Sequence, residues 1–468
     1  RRGGGGGPGP PRGRAARRAP PPAPPPAGAP PAPTAPPPGG GAGGGGGGRA
    51  GGGGGGGPGR PPPAAGSAML LRRLLSAGLV HPVPGPATYT AADVTLVVPV
   101  KDNAAGLSRL LDATCELRHR IVVDDGSEIA LGQATIRHHT PHGPAAARNT
   151  GWHRARTDLV AFLDSDVVPE ADWLDAVLPL FDDPRVAAVA PRVRSRTERL
   201  PGEPAPPGAK SVSRYEEGRS SLDMGRHPAV VRPMSRVAYV PTAALVVRRD
   251  ALAQIGGFDE RLRFGEDVDL VWRLADEGHL VRYQPSAVTW HTPRRSVWAW
   301  LRQRFDYGTS AAPLAIRHPE RLACARLSPL HALSWASAVT GRPSLAASAA
   351  AVAAALPLRR LRGIPATAAL AVTARAHIGA GQVLAEAVRR TWWPLALFTP
   401  TGRRVLLLSL GVCLAEAVGG RHGADWLALR IADDAAYSLG VWTGCLRHRT
   451  LVPLSPRFTE RRRNDESP

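Results

Sequence analysis

The sequence predicts an α/β fold with a mostly parallel sheet, followed by a mainly α-helical C-terminal region. Short apolar runs alternate with helical stretches between about residues 93 and 290, which is typical of consecutive βα units. Polar clusters follow several of these apolar runs, as expected where buried strands end at the rim of a sheet. Beyond about residue 328 the apolar runs become longer and free of charge, which favours helices.

The strands and helices of the α/β region follow from the periodicity of the apolar residues. The apolar run at 94–100 predicts the first strand, and Asn103 is placed to cap a helix in which Leu107, Leu110 and Leu111 share one face. The predicted strands are 94–100, 120–123, 159–163, 243–247 and 283–290. The predicted helices are 104–115, 144–156, 171–181, 249–255 and 266–278, and the Pro-rich, charged stretch 194–210 is predicted to be a loop.

Composition divides the 468 residues into five segments. Residues 1–66 are almost wholly Gly, Pro, Ala and Arg, so they cannot bury enough apolar surface to fold and are expected to be disordered. Met69 is the first methionine and a candidate start of translation. The remaining segments are an N-terminal helix and linker at 67–92, the α/β domain at 93–310, a helical, partly hydrophobic region at 311–450 and a charged tail at 451–468.

The formal net charge of +21 raises the question of a nucleic-acid partner. Eight of the arginines lie in residues 1–66, the others are scattered without a stripe of basic and aromatic residues, and lysine occurs only at Lys101 and Lys210. This preference for Arg, with its excess of Ala and Gly, is typical of a GC-rich coding sequence. We therefore expect no nucleic-acid partner.

The cysteines indicate a reduced protein that faces the cytoplasm. Four cysteines lie far apart without a C-x-x-C pair, so the sequence suggests neither a zinc site nor a disulfide framework. Met69 opens an amphipathic pattern and not the unbroken apolar segment of a signal peptide.

The C-terminal region contains apolar runs of intermediate length. Runs at 327–341 and 343–358 carry no Asp, Glu, Lys or Arg, and each is shorter than the roughly 20 apolar residues that span a bilayer. A third run at 405–415 is shorter still. A helical bundle and interfacial or re-entrant helices with a basic flank both remain open.

The predicted strand ends carry groups suited to a phosphorylated ligand. Asp164 and Asp166 follow the apolar run 159–163 and offer oxygen ligands for a hard cation such as Mg²⁺ or Mn²⁺, which could hold a diphosphate. Asp124 and Asp125 could accept hydrogen bonds from a nucleobase and a ribose hydroxyl; the alternative is a simple Asp-Gly turn. The carboxyl ends of strands form the usual ligand-binding edge, so a further cluster, containing Pro99 and Asp102, belongs to the same candidate nucleotide-sugar site.

Three further positions suit group transfer. Arg148 offers a charged fork to a phosphate or base oxygen, although its surroundings are also those of an ordinary Ala-rich helix. Asp267 is the candidate general base for an acceptor hydroxyl, and Glu266 would orient the acceptor or the base; the dipole of a helix also stabilises carboxylates at its start without any function. His291 follows the last strand as a candidate metal ligand, ahead of two arginines that could neutralise a departing diphosphate.

Six motifs resemble those of family 2 glycosyltransferases with the GT-A fold. They occur as VVPVKDN at 97–103, VVDDGS at 122–127, AARNTG at 146–151, FLDSD at 162–166, GGFDE at 256–260 and GEDVDL at 265–270. PVKDN, YVPTAA at 239–244 and RQRFDYG at 302–308 resemble, more narrowly, the mycofactocin-system glycosyltransferases of actinobacteria.

The resemblance implies a GT-A, Rossmann-like mixed sheet that binds a nucleotide sugar. It implies inverting transfer of glucose from UDP-glucose to a peptide-derived redox cofactor precursor or a glycan, with Asp125 at the uracil, Asp166 and Asp164 at the metal and diphosphate, and Asp267 as the base. It further implies association with the cytoplasmic side of the cell membrane, possibly through an embedded C-terminal region. The stretch 303–305 only loosely resembles the Gln-x-x-Arg-Trp motif of processive synthases, so processivity is not predicted.

Two alternatives remain at the level of sequence. The first keeps the fold and replaces the acceptor by a polyprenyl phosphate or a cell-wall glycan at the membrane. The second is an Arg-rich nucleic-acid-binding protein with a degenerate transferase core.

Overall fold

A computed structural model describes residues 65–76, 78–83, 85–196, 207–294, 296–360 and 365–459. Almost all of the tract predicted to be disordered, 1–66, lies outside the described residues. Most of the loop predicted at 194–210 and the end of the charged tail predicted at 451–468 also lie outside them. The described chain begins with helix α1 at Ala65–Ser76.

The strands of the main sheet follow one another along the first two thirds of the described chain. They are β1 (Val94–Val100), β2 (His119–Asp125), β3 (Ile136–His138), β4 (Leu159–Leu163), β5 (Val167–Pro169), β6 (Val186–Ser195), β7 (Ala229–Val231), β8 (Ala244–Arg248) and β9 (Leu280–His291). Their order across the sheet is β3-β2-β1-β4-β8-β6-β9-β5, with β7 also paired to β9.

The helices of this region pack on both faces of the sheet or continue from its last strand. They are α2 (Ala104–Ala113), α3 (Pro144–Trp152), α4 (Trp173–Val177), α5 (Ala209–Arg219), α6 (Arg249–Ile255), α7 (Glu266–Asp276), α8 (Val297–Thr309) and α9 (Ala311–Arg317). Short 3₁₀ turns lie at Ala91–Asp93 and Leu178–Asp182.

Every residue of β1 is buried because the sheet is covered on both faces. Successive side chains of a strand point to opposite faces. Val97 therefore lies in one apolar core with Trp152 of α3, whereas Leu96 lies in the other with Leu107 of α2 and Trp173 of α4. This continuous burial explains why the predicted bounds of β1 were correct.

The α/β prediction is confirmed. The sheet is mixed, as the resemblance implied, and not mostly parallel, as the alternation of apolar runs and helices predicted. β1 is parallel to β2 and β4, and β6 is parallel to β9, whereas β8 runs antiparallel to both β4 and β6. A central strand is apolar whether it runs parallel or antiparallel to its neighbours, so the sequence of β8 does not indicate its orientation.

The C-terminal region is helical, as predicted. Its elements are β10 (Arg326–Leu327), α10 (Pro329–Val339), α11 (Pro343–Arg360), α12 (Ala366–Ala387), a π-helical turn (Val388–Trp392), α13 (Trp393–Ala396), α14 (Pro400–Gly419), α15 (Ala424–His448), a 3₁₀ turn (Val452–Leu454) and β11 (Arg457–Phe458). Strands β10 and β11 pair in parallel and fix the end of the described chain to this region. Among the described helices, none combines the length and hydropathy needed to cross a bilayer.

Helix α15 crosses α8 at backbone contact distance. A side chain at Gly440 would collide with the carbonyl of Phe305, one at Gly308 with the carbonyl of Tyr437, and one at Gly444 with the carbonyl of Thr309. The three glycines therefore allow the two helices to approach closely, and they fix the C-terminal region against the last helices of the α/β domain.

Candidate active site

The carboxyl ends of β1, β2, β4 and β9 lie at one edge of the sheet. Strands β1, β2 and β4 are parallel neighbours. Strand β8 is antiparallel to both β4 and β6, so β6 has the same direction as β4, and β9 is parallel to β6. Strand β5 then turns back along β9 and pairs Val167 with His291. The strand-end clusters predicted from the sequence therefore meet at this edge.

Asp166 and His291 face each other across the pairing of β5 and β9. Asp166 Oδ2 lies 3.4 Å from His291 Nε2, and the Asp166 carbonyl accepts a hydrogen bond from Thr292 N–H at 3.1 Å. The other ring nitrogen, Nδ1, is buried and has no hydrogen-bond partner among the described residues. Burial opposes ionisation of Asp166, but its pKa is lowered by His291 and, more weakly, by Arg294.

These two side chains fit a cation that is shared with a phosphorylated ligand. In the described part of the chain, no group of three His, Cys, Asp or Glu side chains has the geometry of a closed metal site. Magnesium and related ions are commonly held by one or two carboxylates together with substrate phosphates. The Asp166 carboxylate and the His291 imidazole are such an incomplete set, with the unpartnered Nδ1 showing that the ring has no other polar contact.

Asp164 lies beside this pair but is bound to Arg148. Arg148 donates from Nη2 to Asp164 Oδ1 at 2.7 Å and from Nη1 to Glu266 Oε1 at 2.9 Å. Its side chain is only 4% exposed and lies over the ring of Phe258 at 5.6 Å. Arg148 thus connects the end of β4 to the start of α7, which differs from the predicted contact with a phosphate or base oxygen.

Asp267 has a raised pKa. Burial, and next the negative charge of Glu266, raise the pKa of Asp267 to about 7. One of its oxygens accepts the N–H of Val268 at 2.8 Å, so the group is held at the first turn of α7. A carboxylate with this pKa is half ionised near neutral pH and can take up a proton there.

The third carboxylate of the same motif has a structural role. Asp269 is fully buried and accepts hydrogen bonds from Arg273, Arg317 and His318 at 2.7 to 2.9 Å. These partners, with burial opposing them, lower the pKa of Asp269 well below its usual range. Asp269 therefore anchors α7 to α9, whereas the two preceding carboxylates face the site.

The Asp124 carboxylate is fully buried, and its oxygens contact other groups of the protein. It accepts from Ser127 N–H at 2.9 Å and lies 3.3 Å from Arg137. Burial opposes the Ser127 hydrogen bonds, which nonetheless lower the pKa of Asp124. Its oxygens are not exposed to a nucleoside, so the structure places Asp124 as a support for the loop after β2 and not at the predicted ribose contact.

Asp125 lies at the next position, with more capacity for a ligand. Its Oδ1 accepts from His142 N–H at 2.9 Å and contacts His138 at 2.7 Å, while Oδ2 accepts from Gly143 N–H at 2.7 Å. A carboxylate oxygen has room for two donors, so Oδ2 can accept one more hydrogen bond.

Pro99 and Asp102 lie at the end of β1. Pro99 is buried in β1 opposite Val123, so it shapes the strand end and offers no exposed surface. Asp102 is exposed, with a positive φ of 52°, and its carboxylate accepts Glu128 N–H at 2.8 Å. The Asp102 N–H donates to Ser127 Oγ at 2.9 Å, so the loops after β1 and β2 are fastened to each other.

The start of α2 fixes the segment between Asp164 and Asp166. Asn103 caps the helix by accepting Gly106 N–H at 3.1 Å and donates from Nδ2 to Ser165 Oγ at the same distance. A side chain at Gly106 would collide with Asn103 and with the carbonyl of Ser165. The predicted cap therefore also positions the aspartate pair.

Comparison with known proteins identifies the family of this chain. A profile of the family described as "Glycosyltransferase like family 2" matches residues 88–306. The chain is also 41% identical over 418 residues to "Pre-mycofactocin glycosyltransferase" of Mycobacterium tuberculosis, covering 83% of this chain and 86% of that protein.

The chain belongs to glycosyltransferase family 2.

Other relatives of this family 2 glycosyltransferase are more distant. "N-acetylglucosaminyl-diphospho-decaprenol L-rhamnosyltransferase" of Mycobacterium tuberculosis is 33% identical over 205 residues, 36% of this chain and 65% of that protein. A solved mannosyltransferase of Pyrobaculum calidifontis, in complex with GDP-Man and Mn²⁺, is 22% identical, with 73% of this chain and 93% of that chain covered and a TM-score of 0.38.

The glycosyltransferase also contains a buried ionic cluster that sequence reasoning missed. Arg304 of α8 bonds to Glu216 of α5 and lies 3.5 Å from Asp433 of α15, while Tyr215 donates its hydroxyl to Asp433 at 2.9 Å. The available signal was the placement of charged residues at 430, 433 and 434 on one face of an otherwise largely apolar helix.

Proposed function

We propose that this family 2 glycosyltransferase transfers glucose from UDP-glucose to a hydroxyl group of the peptide-derived cofactor precursor for which its relative is named, with inversion at the anomeric carbon. The similarity to the pre-mycofactocin glycosyltransferase over most of both chains supports the acceptor class. The observation that carries the chemistry is the partly buried Asp267 carboxylate with a pKa of about 7, linked by the Glu266–Arg148–Asp164 bridge to the candidate metal site.

Asp267 acts as the general base in this proposal. Its carboxylate accepts the proton of the acceptor hydroxyl while that oxygen forms a bond to the anomeric carbon and the bond from this carbon to the diphosphate breaks. Attack opposite the departing diphosphate inverts the configuration. Glu266 keeps Asp267 basic by charge repulsion and is itself held in place by Arg148.

The donor binds along the strand ends. Oδ2 of Asp125 accepts a hydrogen bond from the nucleobase of the donor. The loops that contain Asp102 and Asp124, which are hydrogen-bonded to each other, shape the nucleoside pocket. Asp166 and His291 would hold a Mg²⁺ or Mn²⁺ ion, which when bound neutralises charge on the diphosphate. Arg294, whose positive charge lowers the pKa of Asp166, adds positive charge where the diphosphate leaves.

The metal site is tested by replacing Asp166. We expect Asp166→Ala to remove Mn²⁺- or Mg²⁺-stimulated transfer and UDP release, because it removes the carboxylate that faces His291. Purified protein is incubated with UDP-glucose and acceptor at a series of metal concentrations. The exposed Asp175→Ala on α4 is the control. The same metal response in Asp166→Ala and in wild type would refute this site.

The pH dependence follows from the raised pKa of Asp267. The protonated carboxyl cannot accept a proton, so kcat/KM should rise as the pH increases through about 7. Glu266→Gln removes a negative charge that raises this pKa, so the rising limb should move to lower pH. A profile whose midpoint is the same in wild type and Glu266→Gln would contradict the assignment of Asp267.

A second candidate acceptor is a polyprenyl-linked glycan at the cytoplasmic side of the membrane. Two observations favour it: the decaprenol-linked rhamnosyltransferase among the relatives, and the exposed apolar side chains of the C-terminal region, such as Phe398 at 83% and Leu407 at 68% exposure. Membrane extracts are supplied with labelled UDP-glucose. Label in the organic phase supports the lipid acceptor, and label confined to water-soluble product supports the cofactor precursor.

A further inference from the structure

The last residue of β6 is the neighbour of His291 in the sheet. Strands β6 and β9 are parallel, and their register pairs Ser195 with His291. The pairing continues beyond the strand end, where Arg196 N–H donates to the His291 carbonyl at 3.0 Å. Neighbouring strands lie about 4.8 Å apart, so Ser195 flanks His291 on one side while Val167 of β5 flanks it on the other.

The side chains of Ser195 and His291 point to the same face of the sheet. Side chains alternate between the two faces along a strand, so Ser195 shares its face with Val193 and His291 shares its face with Ala287. Val193 and Ala287 belong to one apolar core, which also contains Val167. The Ser195 hydroxyl and the His291 imidazole therefore lie side by side at the carboxyl ends of β6 and β9.

Both side chains contain a buried polar atom without a hydrogen-bond partner. Ser195 is 5% exposed and His291 is 9% exposed. Among the described residues, neither Ser195 Oγ nor His291 Nδ1 has a partner. Buried polar atoms are normally paired with protein or with ordered water. Two unpaired atoms on adjacent, in-register residues thus indicate that the serine and the histidine act together.

The two ring nitrogens of His291 have different tasks at the candidate cation site. Nε2 is the nitrogen that lies 3.4 Å from Asp166 Oδ2. An imidazole binds a cation through an unprotonated nitrogen, so the proton of the neutral ring must then be on Nδ1. Histidines that bind metals almost always donate this second N–H to a protein group or a water molecule. A serine hydroxyl oxygen can accept such a hydrogen bond.

We propose that Ser195 is a positioning residue of the donor site. Its hydroxyl oxygen accepts the Nδ1–H of His291, directly or through one water molecule, and so keeps Nε2 unprotonated and directed at Asp166. The inference rests on the proposed function, because that function includes the cation site at Asp166 and His291. It adds β6 to the strands that build this site.

The first test measures Mn²⁺ binding and does not depend on turnover. Full-length protein with UDP is titrated with Mn²⁺, and the free ion is followed by electron paramagnetic resonance. We expect Ser195→Ala to weaken Mn²⁺ binding about tenfold to a hundredfold, the usual effect of removing the partner of a metal-binding histidine. Ser195→Thr keeps the hydroxyl and should bind as wild type does. Ser286→Ala, at an exposed position of β9, is the matched control and should also bind normally.

A second readout separates positioning from a purely structural role. With ¹⁵N-labelled histidine, UDP and Mg²⁺, proton–nitrogen correlation NMR reports which ring nitrogen carries the proton. Wild-type His291, assigned by comparison with His291→Gln, should carry it on Nδ1, and Ser195→Ala should lose this preference. Without metal, urea denaturation should show Ser195→Ala to be at least as stable as wild type, because the hydroxyl it removes is buried and unpaired.

The outcomes distinguish the role of Ser195 from the transferase function. Equal Mn²⁺ affinity in wild type and Ser195→Ala, an unchanged His291 tautomer, or lower stability of metal-free Ser195→Ala would each overturn the role of Ser195 and leave the proposed function intact. Absence of Mn²⁺ binding in wild type would refute both the cation site and this role. Mn²⁺ binding that depends on Ser195, without any glucosyl transfer, would count against the proposed function alone.

Discussion

Asp267→Asn is expected to lower the kcat of glucosyl transfer by about a hundredfold to ten-thousandfold, the range attributed to a positioned general base. The asparagine side chain has the size of the aspartate but cannot accept the proton of the acceptor hydroxyl. UDP-glucose affinity should change little, because Asp267 lies at the start of α7 and not among the strand-end residues assigned to the donor. Steady-state kinetics with saturating donor measure the effect.

The matched control for this variant is Glu277→Gln, which changes an exposed carboxylate just beyond the end of the same helix. It should retain wild-type kcat and pH dependence. Asp267→Asn with a kcat within about threefold of wild type would show that another group removes the proton, since a loss of that size is far below the contribution of a general base.

Arg148→Met is expected to lower the free energy of unfolding by about 3–5 kcal/mol, the usual cost of removing one partner of a buried ion pair. Arg148 is 4% exposed and bonds to both Asp164 and Glu266. Methionine has a similar length but leaves two partly or fully buried carboxylates without their counter-charge. Urea denaturation followed by tryptophan fluorescence measures the change.

An exposed ion pair provides the comparison. Arg185 is 53% exposed and pairs with Asp183, so Arg185→Met should cost no more than about 1 kcal/mol. Adding Glu266→Gln to Arg148→Met should recover part of the lost stability, because it removes one unpaired charge. Equal losses in Arg148→Met and Arg185→Met would contradict the role assigned to the bridge.

The central strands could be predicted because their burial is continuous. The observed bounds of β1, β4 and α6 match the predicted ones, since apolar runs and a helical pattern are local properties of the chain. Strand β6 was missed because its sequence contains Pro191 and two arginines, and only its pairing with β8 and β9 makes it a strand.

The site could be located from the sequence, but several roles could not. Carboxyl ends of neighbouring strands meet at one edge, so the aspartate clusters had to lie together. Arg148 bonds to Glu266, 118 positions away in the chain, and nothing in the local sequence indicates that contact. Likewise, Asp267 and Asp269 look alike in one motif, and only the packing of Arg317 and His318 makes the latter a structural anchor.

The contribution of α15 was also beyond local reasoning. Its residues lie against α8 at backbone distance only because Gly308, Gly440 and Gly444 allow the two helices to touch. A glycine inside a helix indicates a possible close approach but does not name the partner helix. The packing of α15 on α8 is therefore a property of the folded chain, whereas the meeting of the aspartate clusters follows from strand order.

The configuration of the product tests the central claim most directly. UDP-glucose carries its glucose in the α configuration, and a single displacement with Asp267 as base must form a β-linked product. Proton NMR of the transfer product, recorded during the reaction, reports the coupling constant of the new anomeric proton. A β-glucoside formed by wild type and lost in Asp267→Asn is the predicted result; an α-glucoside would contradict the account.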